Sequence, residues 1–211
     1  MSVPLSPLIH LVDDDAAVRD GLALLIGTVG LRVHTWARPE AFIRDFDRES
    51  IGAIVLDIRM PGISGMTVLE QLIAQGVDQP VIMLTGHGTV DLCRRAFKAG
   101  AAEFLEKPVN DELLIDTLQQ SVRRHVQSRH RHQADRLARE RYQQLSEREH
   151  EVLDLIIAGL TNKEIGRALE VSPRTVETHR ANLFAKLQAD SLAQLIRQYA
   201  ALVEADDSAT P

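Results

Sequence analysis

At 211 residues, with 45% hydrophobic and 26% charged side chains, the chain has the make-up of an ordinary globular protein, which excludes a fibrous or wholly disordered class. No apolar run reaches the roughly 20 residues that a bilayer crossing needs, and the N-terminus lacks a basic, apolar leader, so a cytoplasmic protein is expected. The net charge of −6 hides a split, since residues 1–122 carry ten basic and seventeen acidic side chains whereas residues 123–203 stand at +4, which points to two domains with different partners.

From Leu8 onward, strand-like apolar runs alternate with helical patterns. Strands are expected near 8–13, 32–36, 52–57, 80–85 and 103–106, and helices near 16–29, 39–49, 65–75, 88–99 and from Asn110 on. Five such repeats, with strands apolar on both faces, predict a doubly wound α/β domain with a five-stranded parallel sheet over residues 1–122. The single cysteine, Cys93, falls in the fourth helix and is read as a packing residue; it excludes an internal disulfide framework.

The strand ends carry the chemistry. The first run stops in Asp13, Asp14 and Asp15, three consecutive carboxylates that call for a cation. The third ends in Asp57, the fourth in Thr85, and the fifth in Lys107-Pro108. Ligands of parallel α/β sheets bind outside the carboxyl ends of the strands, so residues far apart in sequence are expected at one rim. Oxygen ligands suit Mg²⁺, which takes one or two carboxylates together with phosphate oxygens. Asp57 can then attack a phosphoryl group as a carboxylate nucleophile, with Lys107 and Thr85 facing the phosphoryl oxygens. Asp15 is assigned to capping the helix that follows.

Residues 8 to about 122 thus resemble the receiver domain of two-component response regulators, of the flavodoxin and CheY-like fold. The likeness rests on Asp13-Asp14, on Leu56-Asp57-Ile58-Arg59-Met60-Pro61-Gly62, on Thr85 and on Lys107-Pro108. It implies that Asp57 is the phosphoacceptor, that Mg²⁺ is bound by Asp14, Asp57, the backbone carbonyl of Arg59 and, through water, Asp13, and that the bond before Pro108 is cis. It also implies that Phe104 and Thr85 form the switch pair, and that Arg59 and His87 tune autodephosphorylation. Val109 departs from the Phe that relatives often carry.

The stretch from Asn110 to about Gln144 lacks Gly and Pro and reads as one long helix, whose part over 123–145 is expected to be a solvated helical linker. His125, His130 and His132 are assigned to that solvated surface. Ser146-Glu147-Arg148-Glu149 is a capping box that opens a small all-α domain over residues 146–204, with helices near 147–158, 162–169, 173–187 and 191–203 and an acidic, disordered tail over 205–211. Ile165, Leu169, Val176, Leu183 and Leu187 repeat at helical spacing as its core, with Val171 in the turn, leaving Arg174, Thr178, Ala181 and Ala185 outward.

This segment resembles the NarL/FixJ (LuxR-type) helix-turn-helix module, through Gly159-Leu160-Thr161-Asn162-Lys163-Glu164-Ile165 and Ser172-Pro173-Arg174-Thr175-Val176-Glu177-Thr178-His179-Arg180. In such a module the N-terminal side chains of the recognition helix meet base edges. Glu177, Thr178 and Ala181 are candidates for bases, Lys163, Arg174, Arg180 and Lys186 for phosphates, and Thr175 and Asn182 belong to the same DNA-facing set. Arg180 is open to a second reading, a bond to another helix. Leu192, Leu195, Ile196 and Tyr199 are open to core or to dimer contact.

Together these readings predict a transcriptional regulator and no metabolic enzyme. It would be phosphorylated on Asp57 by a sensor histidine kinase, pair as a homodimer through about 88–122 as FixJ-type relatives do, and bind promoter DNA, with RNA polymerase as a further candidate partner. Two rivals stay open. A haloacid-dehalogenase-like phosphatase also needs an acid two places after its nucleophile, where Arg59 stands, and a regulator that ignores phosphorylation would use the DNA module alone.

Overall fold

The computed structural model describes residues 7–207; the expectations for the extreme N-terminus and for 208–211 lie outside them. Two compact units divide between Arg129 and His130.

In the first unit the strands are β1 (Leu8–Val12), β2 (Arg32–Trp36), β3 (Gly52–Asp57), β4 (Val81–Thr85) and β5 (Glu103–Glu106), in the parallel order β2-β1-β3-β4-β5. The helices are α1 (Ala16–Thr28), α2 (Pro39–Asp45), α3 (Gly65–Ala74), α4 (Val90–Lys98) and α5 (Asp111–Tyr142). Period-two alternation sends Ala53 and Val55 of β3, and Ile82 and Leu84 of β4, to one face, where Ile26 of α1 and Leu114, Leu118 and Val122 of α5 cover them. Ile54, Leu56, Val81 and Met83 face the other way, against Phe42 of α2, Val68, Leu69 and Leu72 of α3, and Ala96 of α4. The central strands are therefore buried on both faces, and only their ends can hold polar chemistry.

Two expectations need correction here. Helix α2 stops at Asp45 and not near residue 49, because Phe46 turns extended (φ −73°, ψ 143°) to stack on Phe42 at 4.6 Å, and the Asp47 carboxylate then accepts the Glu49 N–H. His125 is not on a solvated linker. It is 2% exposed, with Nδ1 3.0 Å from the Gly52 carbonyl oxygen and Nε2 3.3 Å from Asp78 Oδ1. One turn on, Arg129 pairs with Asp78 at 2.8 Å and Glu49 at 2.7 Å, so the first unit extends past residue 122. His130 and His132 are exposed, as expected.

The second unit holds the end of α5 with α6 (Glu147–Ile157), α7 (Asn162–Ala168), α8 (Pro173–Leu187) and α9 (Leu192–Asp207). The capping box of Ser146 and Glu149 starts α6, a second one of Thr161 and Glu164 starts α7, and Ser172 caps α8. Ile165, Val176, Leu183 and Leu187 are fully buried together with Val152, Leu153, Leu195 and Tyr199, while Leu169 and Val171 lie at the margin of this core. Ala138 and Leu145 are also buried in it, so the segment expected as linker is structural at both ends. Helix α9 continues to Asp207, past the predicted end near 203 and into the stretch expected to be tail.

Candidate functional site

At the carboxyl rim of the sheet, three strand ends meet in direct contact. Asp13 follows β1, and its N–H donates to the Trp36 carbonyl at 3.1 Å, which carries the β1–β2 ladder to the rim. Asp57 is the last residue of β3, and Lys107 follows β5, tied back by its N–H to the Thr85 carbonyl at 2.7 Å. The Lys107 ammonium stands 2.5 Å from Asp13 Oδ2 and 2.6 Å from Asp57 Oδ1. The second oxygens are held by backbone donors, Asp57 Oδ2 by the Arg59 N–H at 2.7 Å and Asp13 Oδ1 by the Asp15 N–H at 2.9 Å. Asp15 caps α1 through the Ala17 and Val18 N–H groups.

The charge does not balance. Asp13 and Asp57 are 0% and 4% exposed, yet they share one ammonium. Burial lifts the Asp57 carboxyl above its ordinary range, Asp13 adds to this, and Lys107 and the Arg59 N–H oppose it without prevailing. Burial opposes the charge of Lys107 too, but two carboxylates outweigh it and hold the ammonium above its usual value. One cation between two anions stabilises its own charge more than that of either partner.

Asp14 is exposed and lines an open cleft of about 400 Å³ with Ala37, Arg38, Glu40, Pro61 and Gly62. The donors at this rim are all oxygens and leave a net negative charge, which fits a hard divalent cation. Among the described residues no three His, Cys, Asp or Glu side chains converge into a metal cage of their own.

Thr85, fully buried, ends β4, but its hydroxyl is engaged by its own loop: Oγ1 donates to the His87 carbonyl and accepts from the His87 N–H, each at 3.2 Å. Phe104, in β5 opposite Met83, is half-buried at the edge of the α2–α4 core and lines a groove of about 500 Å³ with Gly88, Val90, Cys93, Phe97 and Glu106. Arg59 and His87 are both exposed at the rim. The peptide bond between Lys107 and Pro108 is cis.

Some participants were not foreseen. Arg19 of α1 donates to the Asp13 carbonyl at 2.6 Å, and Glu106 accepts the Gly88 N–H at 2.9 Å. Gly65 at the start of α3 is required by close approach, since a Cβ there would stand 2.0 Å from the Asp57 carbonyl oxygen.

On α8 the outward set of Arg174, Thr178, Ala181 and Ala185 is exposed as expected, and two further candidates for DNA, Glu177 and Asn182, share that exposure. Lys163 of α7 is exposed as well. Thr175 is half-buried, bonded through its N–H and hydroxyl to the cap Ser172. Arg180 is half-buried, with its guanidinium 6.0 Å from the Phe184 ring on the same helix. Lys186, expected at phosphate, is exposed at the helix end, and its ammonium lies 2.6 Å from the nearly buried Glu149 Oε2, a pairing inside the domain that competes with phosphate. Of the four α9 residues open to core or to dimer contact, Leu195 and Tyr199 are core, whereas Leu192 and Ile196 are exposed.

Two family models match the chain, "Response regulator receiver domain" over residues 9–119 and "Bacterial regulatory proteins, luxR family" over residues 143–199. Among curated relatives, the transcriptional regulatory protein FixJ of Azorhizobium caulinodans is 43% identical over 211 residues, covering 99% of this chain and 100% of the relative. The C4-dicarboxylate transport transcriptional regulatory protein DctR of Rhodobacter capsulatus is 38% identical, over 90% of this chain and 97% of its own length. Among solved structures, the response regulator StyR matches with a TM-score of 0.83 at 37% identity, covering 93% of this chain and 99% of that one. Full-length FixJ from B. japonicum matches with a TM-score of 0.58 at 38% identity, covering 92% and 96%. The chain therefore belongs to the FixJ-type response regulators, transcriptional regulators that join a receiver domain to a luxR-type DNA-binding domain.

Proposed function

We propose that Asp57 accepts a phosphoryl group from a partner sensor histidine kinase, and that the phosphorylated chain pairs with a second copy and binds promoter DNA through α7 and α8. The observation that carries this reading is the meeting of Asp13, Asp57 and Lys107 within 2.6 Å contacts from three separate strand ends. An Asp57 oxygen attacks the phosphorus, the bond from phosphorus to the donor's imidazole nitrogen breaks, and the imidazole takes up a proton on leaving. Mg²⁺, held by Asp13, Asp14, Asp57 and the Arg59 carbonyl, would neutralise charge on the phosphoryl oxygens. Lys107, still beside Asp13, can follow one of those oxygens once Asp57 carries the phosphoryl group as an acyl phosphate, and Thr85 donates to another. The same groups permit hydrolysis by water, with Arg59 and His87 at the rim to set its rate. No helix among the described residues is long and apolar enough to cross a membrane, and we place this chemistry in the cytoplasm.

The exposed Arg174, with Lys163, supplies phosphate contacts, and Glu177, Thr178 and Ala181 supply base contacts. Thr175, Arg180 and Asn182 flank them. Incubation with acetyl phosphate and Mg²⁺ followed by intact-mass measurement should add one phosphoryl group to the wild type and none to Asp57→Asn. Equal labelling of that variant refutes the assignment, and unchanged DNA affinity of the labelled wild type favours a regulator that ignores phosphorylation.

A further inference from the structure

Thr85 can serve a phosphoryl group on Asp57 only by giving something up. A hydroxyl has one proton to donate, and here it goes to the His87 carbonyl while the His87 N–H donates back. Turning the hydroxyl toward Asp57 breaks this exchange and removes one of the ties on the loop between β4 and α4, residues 86–89. The next residue of that loop, Gly88, is tied to the sheet: its N–H donates to Glu106 Oε1 at 2.9 Å. The approach is close, since a Cβ on Gly88 would stand 3.4 Å from the Glu106 carboxylate. Glu106 pairs with Thr85 in the β4–β5 register and directly precedes Lys107, so one strand end carries both the ammonium at Asp57 and the carboxylate on the loop.

We propose that Glu106 is a positioning residue, a latch on Gly88 that holds the loop in the arrangement that keeps the Thr85 hydroxyl away from Asp57. The latch sets how often the unphosphorylated receiver samples the arrangement that can be phosphorylated, and so the rate at which a phosphodonor is used. This inference rests on the assignment of Asp57 as phosphoacceptor. Glu106 is exposed and makes no contribution to the core, so its removal leaves the fold intact.

The test uses the full chain with Glu106→Ala and Glu106→Gln, the second of which keeps an acceptor oxygen for the Gly88 N–H. Without phosphodonor, hydrogen exchange of the Gly88 amide should quicken about fivefold in the Ala variant, the factor that one net hydrogen bond is worth, and stay within about twofold of wild type in the Gln variant. Labelling by acetyl phosphate with Mg²⁺ should quicken by a similar factor in the Ala variant only. Unchanged Gly88 exchange, unchanged labelling, or a Gln variant that behaves like Ala each overturns the latch. A wild type that takes no label overturns the phosphoacceptor reading itself, and the latch with it.

Discussion

Lys107 Nζ lies 2.6 Å from Asp57 Oδ1 while also touching Asp13, so a single ammonium answers two buried carboxylates. An Asp whose carboxyl is raised in the folded state favours folding at pH below its unfolded value, and loses that contribution as pH rises through the folded one. At neutral pH the ionised Asp57 is thus a cost to the fold. Asp57→Asn should be more stable than wild type at pH 7, with the gain vanishing as the solution is acidified. Lys107→Ala leaves both carboxylates uncompensated and should lose about 2 kcal/mol, besides abolishing most phosphoryl uptake. Thermal unfolding over a pH series measures both; a destabilised Asp57→Asn at neutral pH contradicts the charge imbalance.

His10 gives the first unit a second pH dependence, remote from the rim. It is 1% exposed inside an aromatic cluster, and its Nδ1 accepts the Trp36 Nε1–H at 3.2 Å. Burial, helped by His34, pushes its pKa down to about 4, so the folded chain holds it neutral where the unfolded chain has begun to take up a proton. Stability tied to His10 is therefore complete above pH about 6.5 and drains away as pH falls toward 4, by up to about 3 kcal/mol. Urea midpoints of wild type and His10→Gln, which keeps an acceptor for Trp36, should diverge at neutral pH and converge at acid pH. Parallel pH profiles would show that His10 titrates as it does in water.

Strand ends were legible in the sequence because β3 and β4, apolar on both faces, stop in the polar residues Asp57 and Thr85. The recognition helix was legible because Val176, Leu183 and Leu187 repeat on one face, which places Arg174, Thr178 and Ala181 on the other. Pairings between distant polar residues were not. Nothing in the local pattern of Arg-rich α5 says that His125 will find the carbonyl of Gly52 or Arg129 the carboxylate of Asp78, since both partners are fixed only when α5 lies against the sheet. The pairing of Lys186 is hidden for the same reason: a long side chain at the surface of a helix is free to reach back to Glu149, and the local pattern does not show that it does.

On DNA, Arg174→Ala should weaken binding to many sequences alike and reduce its salt dependence by about one counterion. Glu177→Ala should instead change the preference at one base pair, by about 1–3 kcal/mol of discrimination. Lys186→Ala should leave the salt dependence unaltered and act on stability. Burial opposes the charge of Glu149, yet Lys186 and the Ser146 donors hold its carboxyl below the usual range, so its contribution is present above the unfolded value and lost as pH falls through the folded one. Titration of affinity against salt for the three variants separates these roles, and a lowered slope for Lys186→Ala would return that residue to the phosphate contacts.

The division of α5 between the two units predicts where the chain can be cut. A receiver fragment ending at residue 122 lacks His125, whose ring nitrogens meet Gly52 and Asp78, as well as Val126 and the ion pairs of Arg129. Removing the buried ring takes away the Nδ1 that meets the Gly52 backbone, a loss of about 2–3 kcal/mol when packing is included. A fragment ending at residue 129 keeps all of these and should unfold at higher denaturant. At the other end, a fragment starting at residue 146 loses Ala138 and Leu145 from the core, the Tyr142 ring from His150 at 4.6 Å, and the bond of Arg141 to Gln188. One starting at residue 136 retains them and should be the more stable by a similar amount, measured by urea unfolding of the four fragments. Equal midpoints within either pair would mean that α5 packs on that unit without stabilising it.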